Sequence, residues 1–583
     1  MAAEAILLLA GDFPLAQPEA IKEKYYSRWL KELTALLYSR SEYFFLLFIE
    51  REGAQWLKSN HNELLTIWQE LAAHKRLELL GGLFDNSLLG LISNTDRLGQ
   101  IEDSAIWARD ISKHKPRGFF LPYGLWEPSF PAILAPHSFN YSFVAAELFI
   151  NAKAKNLFKA YLVEETAKTV AVFPYFTLEA SKDYRQLAAD YAQLAEKQGG
   201  NLLTFLFKDF NTKWLAGFLE ELKSYGIALT QPAKYLKRQM VLQRLYLPAS
   251  GAETLGGNHN FYRNYLFEQV ETGLLYARAL AVTAAVRLAK DKGQKKLALK
   301  SLWQSQNHQL YWASRYGGIR NPVLRDYAYR NLLQADSLAG GDKLNYGLIE
   351  VDFDLDGAGE VLYRGAIYNA FTQHTGGLLF ELDYLPAGKN LLNIFNDGPL
   401  QRAFHDVFVP IKSDWAVMAE ELKEDNFYQC KTQPDADSVN YLTEKILDKK
   451  KISIKKEYIY YKNTFEVNYY FKGEILTNYY FCSGHYLSLS EQANLLINDE
   501  FWQGEQIANV NKLTIIDEDD LHFDYKFSQP AILNFKTLST HLNFAGEQQQ
   551  IRQGAAIWLA FPLALTQGSG RLTIEVSFYN LKE

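Results

Sequence analysis

The sequence predicts a chain of class α/β plus all-β: a closed or nearly closed β/α barrel, a helical subdomain, and a C-terminal antiparallel β-sandwich. Three observations carry this reading. Short aliphatic runs alternate with helical patterns in the first part of the chain, as in parallel βαβ units. A helical apolar spacing follows. The last part turns to period-two alternation, as in ISIKKEYIYYKNTFEVNYYF (452–471). The boundaries fall at 1–255, 256–344 and 345–583, and a chain of this length needs more than one core.

Residues 5–10 (AILLLA) read as a buried strand that leaves through Gly11-Asp12-Phe13-Pro14. Residues 19–40 carry helical spacing, with Tyr25, Trp29, Leu33, Leu36 and Leu37 on one face. YFFLLFI (43–49) is a second strand, 54–74 a helix, and LELLGG (77–82) a third strand ending in Leu83-Phe84-Asp85-Asn86. A helix over 96–114 leads to a strand at 118–121. Residues 141–145, 161–164 and 169–173 read as strands, and 181–197 as a helix. NLLTFLF (201–207) is a strand leaving through Lys208-Asp209-Phe210-Asn211, followed by a helix over 212–224 and the apolar 227–229. About seven strands suit a barrel. Farther on, YLFEQ and ARALAVTAAVR place helix formers at core spacing beside a charged face at 290–300. HQLYWASRYGGIRNP (308–322) precedes another helix, and the strands then run from LIEVDFDLDGAGEVLYRG (348–365) to GRLTIEVSFYNL (570–581).

A composition 48% hydrophobic and 14% aromatic supports a large core and argues against disorder. The 61 basic and 67 acidic residues leave a net charge of -6 without a basic block, so no nucleic-acid partner is expected. Cys430 and Cys482 provide neither a disulfide framework nor a thiolate zinc site, and His259, His308 and His374 lack metal-site spacing. Residues 1–13 hold too few apolar residues for a membrane span or a secretory segment and read as the approach to the first strand. The expectation is a cytoplasmic chain with no membrane partner and no cofactor.

The stretch PRGFFLPYGLWEPSFPAIL (116–134) joins a strand end to a Trp126-Glu127-Pro128 corner, a place where α/β barrels keep their chemistry. With SQNHQLYWASRYGGIRNPVLRDYAYRNLLQADS (305–337), VDFDLDGAGEVL (351–362) and the Gly376-Gly377 turn, the chain resembles glycoside hydrolase family 57, its 4-α-glucanotransferase branch. The resemblance implies an incomplete seven-stranded β/α barrel, a helical subdomain and a C-terminal sandwich. It also implies retaining chemistry on α-1,4-glucans or maltooligosaccharides, and by analogy a homodimer.

Retaining glycosidases use two carboxyl groups about 5 Å apart, one as nucleophile and one as acid/base. In this family the nucleophile is a Glu three residues before the Trp-x-Pro corner, a position held here by Tyr123. Its acid/base Asp, in a segment of the type aromatic-His-Asp-Asp-Gly-Glu-Lys, falls on Phe210, with Asp209 beside it. The family's His-Gln-Pro motif reads Asp12-Phe13-Pro14, and its Gly-Phe-Tyr-Glu-Pro motif reads Gly82-Leu83-Phe84-Asp85-Asn86. Four drifted positions imply a catalytically degenerate member, a pseudoenzyme retaining a cleft for α-glucan. One alternative is an active glucanotransferase or α-amylase-type hydrolase using the displaced carboxylates Asp209 and Glu127. Another is a non-catalytic assembly scaffold.

Each remaining candidate has a structural reading beside the functional one. Glu127 suits a helix cap as well as an acid. Asp12 and Asp85 suit turns as well as sugar hydroxyls. Trp126, Tyr311 and Trp312 suit a core as well as a pyranose face. Asp352, Asp354 and Asp356 before Gly357 have the look of a calcium loop with Glu360 nearby. The distal Glu spacing is absent, and an Asp-Gly turn on an exposed strand face explains the run more simply.

Overall fold

The computed structural model describes residues 3–209, 211–251, 261–312, 314–340, 347–395, 402–411, 414, 416–417, 429–433, 437–473, 478–518, 521–563, 565 and 568–579. It divides into two compact units. One comprises Met1–Gln269 with Gln306–Tyr316, and the other Val270–Ser305 with Gly317–Glu583.

The first unit is built on strands β1 (Glu4–Leu9), β2 (Phe45–Leu47), β3 (Leu77–Leu79), β4 (Gly118–Phe119), β5 (Tyr141–Ala145), β6 (Tyr161–Glu165), β7 (Lys168–Leu178), β8 (Leu202–Phe207), β9 (Ala228–Leu229) and β10 (Gln243–Arg244). Among the described residues, seven of these run parallel in the order β4-β5-β7-β8-β1-β2-β3. A single parallel bridge, Gly81 to Phe119, links the two ends of that series. One bridge in place of a ladder is why the barrel is only just closed. β6 turns back antiparallel on β7, and β10 extends it.

The barrel's inner side packs Ile6, Leu8, Phe44, Leu46, Phe48, Leu80, Phe143 and Leu206 together. Its outer side packs Ala5, Leu7, Leu9, Phe45, Leu47 and Phe205 against Trp29, Trp68 and Phe218 of the surrounding helices. Several helix starts follow from capping. Asp183 accepts from the Arg185 and Gln186 N–H groups, so that helix opens at Tyr184 rather than at 181. Asn211 caps Thr212–Ser224 in the same manner.

Two predicted helices are interrupted. The one over 19–40 contains a π-helical turn, Tyr26–Leu30. The one over 54–74 divides into Arg51–Asn60 and Asn62–Ala73. The cause is shared: His61 leaves helical geometry at φ -140° and stacks its ring on Tyr26, with centroids 3.5 Å apart.

In the second unit the helices Val270–Leu288, Lys292–Ser305 and Pro322–Leu338 precede the strands. β11 (Gly347–Val351), β12 (Glu360–Arg364), β13 (Tyr368–Thr372), β14 (Leu379–Tyr384) and β15 (Lys389–Asn390) form one antiparallel sheet. The later strands, from His405–Pro410 to Ser569–Tyr579, form a larger one. Tyr368, Leu379 and Leu382 share a core with Tyr441, Val467, Phe523 and Ile574 of the larger sheet, which makes the pair a sandwich. The opposite face of the smaller sheet sets Phe371 and Phe380 against Leu274 and Ala277 of the first helix. Among the described residues no helix is long and apolar enough to cross a membrane.

Candidate functional site at the strand ends

Side chains alternate across a strand. Ile6, Leu8 and Ala10 point into the barrel, as do Phe44, Leu46 and Phe48, and Leu202 and Leu206. Carrying each series onward in steps of two reaches Asp12, Glu50 and Lys208. Asp12 and Lys208 do line a small pocket with Gly11, Asn86, Tyr123 and His308. Its volume is about 10 Å³, room for roughly one water.

Tyr123 sits in the left-handed region at φ 55° and is followed by Gly124 at φ 60°. A Cβ on Gly124 would meet the Ala145 nitrogen at 2.7 Å and the Tyr175 hydroxyl at 2.6 Å, so only glycine lets the corner pass there. The turn delivers the Tyr123 ring edge-on to His308 at 5.1 Å and under the Lys208 ammonium at 5.0 Å. His308 Nε2 lies 3.3 Å from Asp12 Oδ1 and 3.0 Å from Asn86 Nδ2.

The electrostatics follow from this crowding. Burial alone would raise the Asp12 carboxyl, but His308, Lys208 and Arg315 outweigh it and hold it below its ordinary range. Burial pushes the Lys208 ammonium down, with Asp12 opposing. Burial and the charge of Asp12 push the Tyr123 hydroxyl well above the ordinary phenol range, so it is neutral at physiological pH.

Glu50, which sequence reasoning missed, is the second carboxyl on this side of the barrel. Its Oε1 accepts from the Phe13 N–H at 2.8 Å and from Gln309 Nε2 at 3.3 Å, and its Oε2 accepts from Asn307 Nδ2 at 2.7 Å. Burial, then the charge of Asp12, pushes it up to about 8. That value would suit a proton donor. Both oxygens are instead committed to pinning residues 307–309 against the strand ends, and Glu50 does not line the pocket.

The other candidate side chains are engaged or buried. Asp85 is not presented to the pocket: it is buried in an ion pair with Arg51 at 2.9 Å, and the next residue, Asn86, faces in. Asp209 turns away and accepts from the Asn211 N–H at 3.0 Å, while Lys208 takes the inner position. Phe210 lies outside the described residues. Glu127 neither caps the following helix nor enters the pocket. Its carboxylate is held by Arg263, at 2.9 Å and 3.0 Å, and by the Tyr262 hydroxyl. Trp126 and Trp312 are 1% and 0% exposed, so neither offers a face to a sugar. Trp126 packs on Phe130, Trp312 packs on Tyr265, and Tyr311 is buried beside it.

Asp352, Asp354 and Asp356 do gather, with carboxylate oxygens within 4.8 Å of one another. Asp356 closes its own turn on the Ala358 N–H at 2.7 Å, and Glu360 faces inward onto the Phe353 N–H at 2.8 Å.

Comparison with known proteins agrees with this fold. A family model described as glycosyl hydrolase family 57 matches residues 13–196, and one for the middle domain of α-amylase/4-α-glucanotransferase matches 260–339. Over residues 13–196 the chain is thus similar to glycosyl hydrolase family 57. The family 57 match ends before β8 and thus before Lys208 and Asp209. Among relatives, α-amylase 1 of Dictyoglomus thermophilum is 24% identical over 442 residues, 64% of this chain and 63% of that one. The 4-α-glucanotransferase of Thermococcus kodakarensis is 24% identical over 409 residues, 61% of this chain and 60% of that one. The match thus spans less than two thirds of these relatives' length. The crystal structure of the 4-α-glucanotransferase from Thermococcus litoralis has a TM-score of 0.83 at 18% identity, covering 99% of this chain and 100% of that chain. This likeness shows the fold.

Proposed function

We propose that this family 57-like chain is a pseudoenzyme of the α-glucan-processing lineage, with the barrel kept and the glycosidic chemistry lost. The observation that carries the reading is the lining of the strand-end pocket, where among the described residues Asp12 is the single carboxylate and is tied to His308. Double displacement needs one ionised carboxylate to attack the anomeric carbon and a second carboxyl to protonate the leaving oxygen. At the nucleophile position assigned by resemblance, Tyr123 offers a hydroxyl held neutral by burial and Asp12. Among the described residues the groups against its ring are Lys208 and His308, and the nearby carboxylate, Asp12, is itself tied to His308, which also meets Asn86. The fallback carboxylates Asp209 and Glu127 are engaged elsewhere. With about 10 Å³ of room, the pocket does not accommodate a pyranose ring.

Incubation of the purified chain with maltoheptaose, followed by chromatography of the products, tests this. The expected result is no redistribution of chain length, a shortfall of roughly 10⁴–10⁶-fold against a working enzyme. Redistribution that disappears in Asp12→Asn or Glu50→Gln would overturn the reading.

A further inference from the structure

The opposite end of the barrel holds a much larger space. About 900 Å³ opens where the strands begin, between the start of β3, the segments 112–117 and 138–140, and the helix Pro232–Arg238. This is the size range of a pocket for a small molecule, and it lies in the same compact unit as the strand-end pocket.

Its charge runs against that of the chain. The net charge is -6, yet Lys75, Lys115, Arg117, Lys234, Lys237 and Arg238 line this one space, with Glu78 the single carboxylate among its lining residues. Arg238 is neutralised by Glu4. The other five make no ion pair with any carboxylate among the described residues. The Lys115 ammonium donates to the Ser138 hydroxyl at 3.3 Å. Glu78 accepts from the Tyr141 hydroxyl; burial raises its carboxyl, with that hydrogen bond and the charge of Arg117 opposing. Lys234, Lys237 and Arg238 fall at helical spacings of three and four and so share one face.

The floor differs from the rim. Phe44, Leu77 and Leu79 supply apolar, buried surface there, and Asn140 and Gln231 add neutral hydrogen-bonding groups beside it. Unpaired like charges above a low-dielectric floor repel one another, and a multiply charged anion relieves that repulsion. Phosphoryl oxygens match ammonium and guanidinium donors well.

We propose that this lower mouth of the barrel binds a small molecule bearing two or more phosphoryl groups. The four lysines take the phosphates with Arg117 beside them, and the apolar floor with Asn140 and Gln231 takes an organic moiety where one is present. The site is separate from the strand-end pocket and does not depend on that pocket being inert.

The test is calorimetric titration of the full chain with metal-free ATP and, separately, inorganic triphosphate, with AMP as the low-charge comparison. Titrations run at low and at moderate salt. The parent chain is compared with the triple variant Lys115→Gln/Lys234→Gln/Lys237→Gln. A control, Lys292→Gln/Lys296→Gln/Lys300→Gln, makes the same charge change on the Lys292–Ser305 helix. Expected is saturable binding of ATP or triphosphate that weakens with salt, exceeds that of AMP, and falls at least about tenfold in the first variant alone. ATP tighter than triphosphate identifies an organic phosphate, and equal affinities identify the phosphate chain alone; either supports the site. The substituted lysines are exposed, so both variants retain the parent's melting temperature. Absence of saturable binding at low salt for both probes, or equal weakening in the two triple variants, overturns the proposal.

Discussion

Glu50→Gln will be less stable than the parent chain at pH 5 and more stable at pH 9. The Glu50 side chain is 3% exposed and receives three donors, from Phe13, Asn307 and Gln309. Those donors favour the carboxylate, but burial and the charge of Asp12 outweigh them and push the carboxyl from 4.5 up to about 8. The folded chain therefore holds this proton over a range where the unfolded chain has released it. A raised acid of this kind contributes stability that is fully present below about pH 4.5 and is lost as pH rises through about 8. At about 1.4 kcal/mol per unit of displacement, the loss by pH 9 is on the order of 5 kcal/mol.

Glutamine does not ionise and escapes that loss. Its own cost is an amide nitrogen facing a buried donor, because the Asn307 side chain is pinned by accepting from the Gln309 N–H at 2.9 Å. One buried donor left without a partner costs about 1–3 kcal/mol. At pH 5 that cost outweighs the small part of the ionisation loss already incurred, and by pH 9 the escape from ionisation exceeds it. Urea unfolding followed by tryptophan fluorescence at the two pH values checks the crossing. A deficit of the same size at both pH values would show that Glu50 does not carry the burial penalty assigned to it.

The seven parallel strands and the sandwich were legible because buried apolar runs and period-two alternation record what a segment packs against. Helix interruption was not legible, because the break at His61 depends on its stacking with Tyr26, which is remote in sequence. At the candidate site, Tyr123 stood out through the Trp-Glu-Pro corner beside it. Lys208 was hidden in plain view: Leu202 and Leu206 share a face, and one more step of two reaches Lys208 rather than Asp209. Glu50 follows YFFLLFI, an all-apolar run with no polar residue to mark which face is inward. His308, Asn307 and Gln309 reach the strand ends from a segment more than 180 residues beyond Tyr123. Only the three-dimensional return of residues 306–316 to the first unit reveals them.

Arg278→Met will cost the second unit about 3–5 kcal/mol at pH 8, because it removes the cation that all three buried carboxyls of one cluster share. Arg278 is 3% exposed and lies 3.2 Å from Glu381 and 3.4 Å from both Asp383 and Asp336, which are 1%, 0% and 6% exposed. Arg364 reaches Asp336 from the other side. Arg278 and Arg364 thus face three carboxyls, with the buried Arg402 also acting on Glu381, and burial together with the charge of Asp383 raises Glu381 well above the ordinary range while Arg278 opposes the rise. Asp383 is raised by burial too, again with Arg278 opposing. Removing Arg278 lifts both carboxyls further, so the folded variant holds protons to a higher pH than the parent does. By the same sign as for Glu50, the stability these acids contribute is present below the ordinary carboxylate range and is lost as pH rises, more steeply in the variant. The deficit is therefore smaller at pH 5 than at pH 8. Arg278→Lys keeps the charge and recovers part of it, whereas the packing of the guanidinium over Phe371 at 5.2 Å is lost in both variants. Calorimetry of the three chains at pH 5 and pH 8 separates these contributions, and a methionine deficit that does not change with pH would mean that packing, not charge, holds this cluster together.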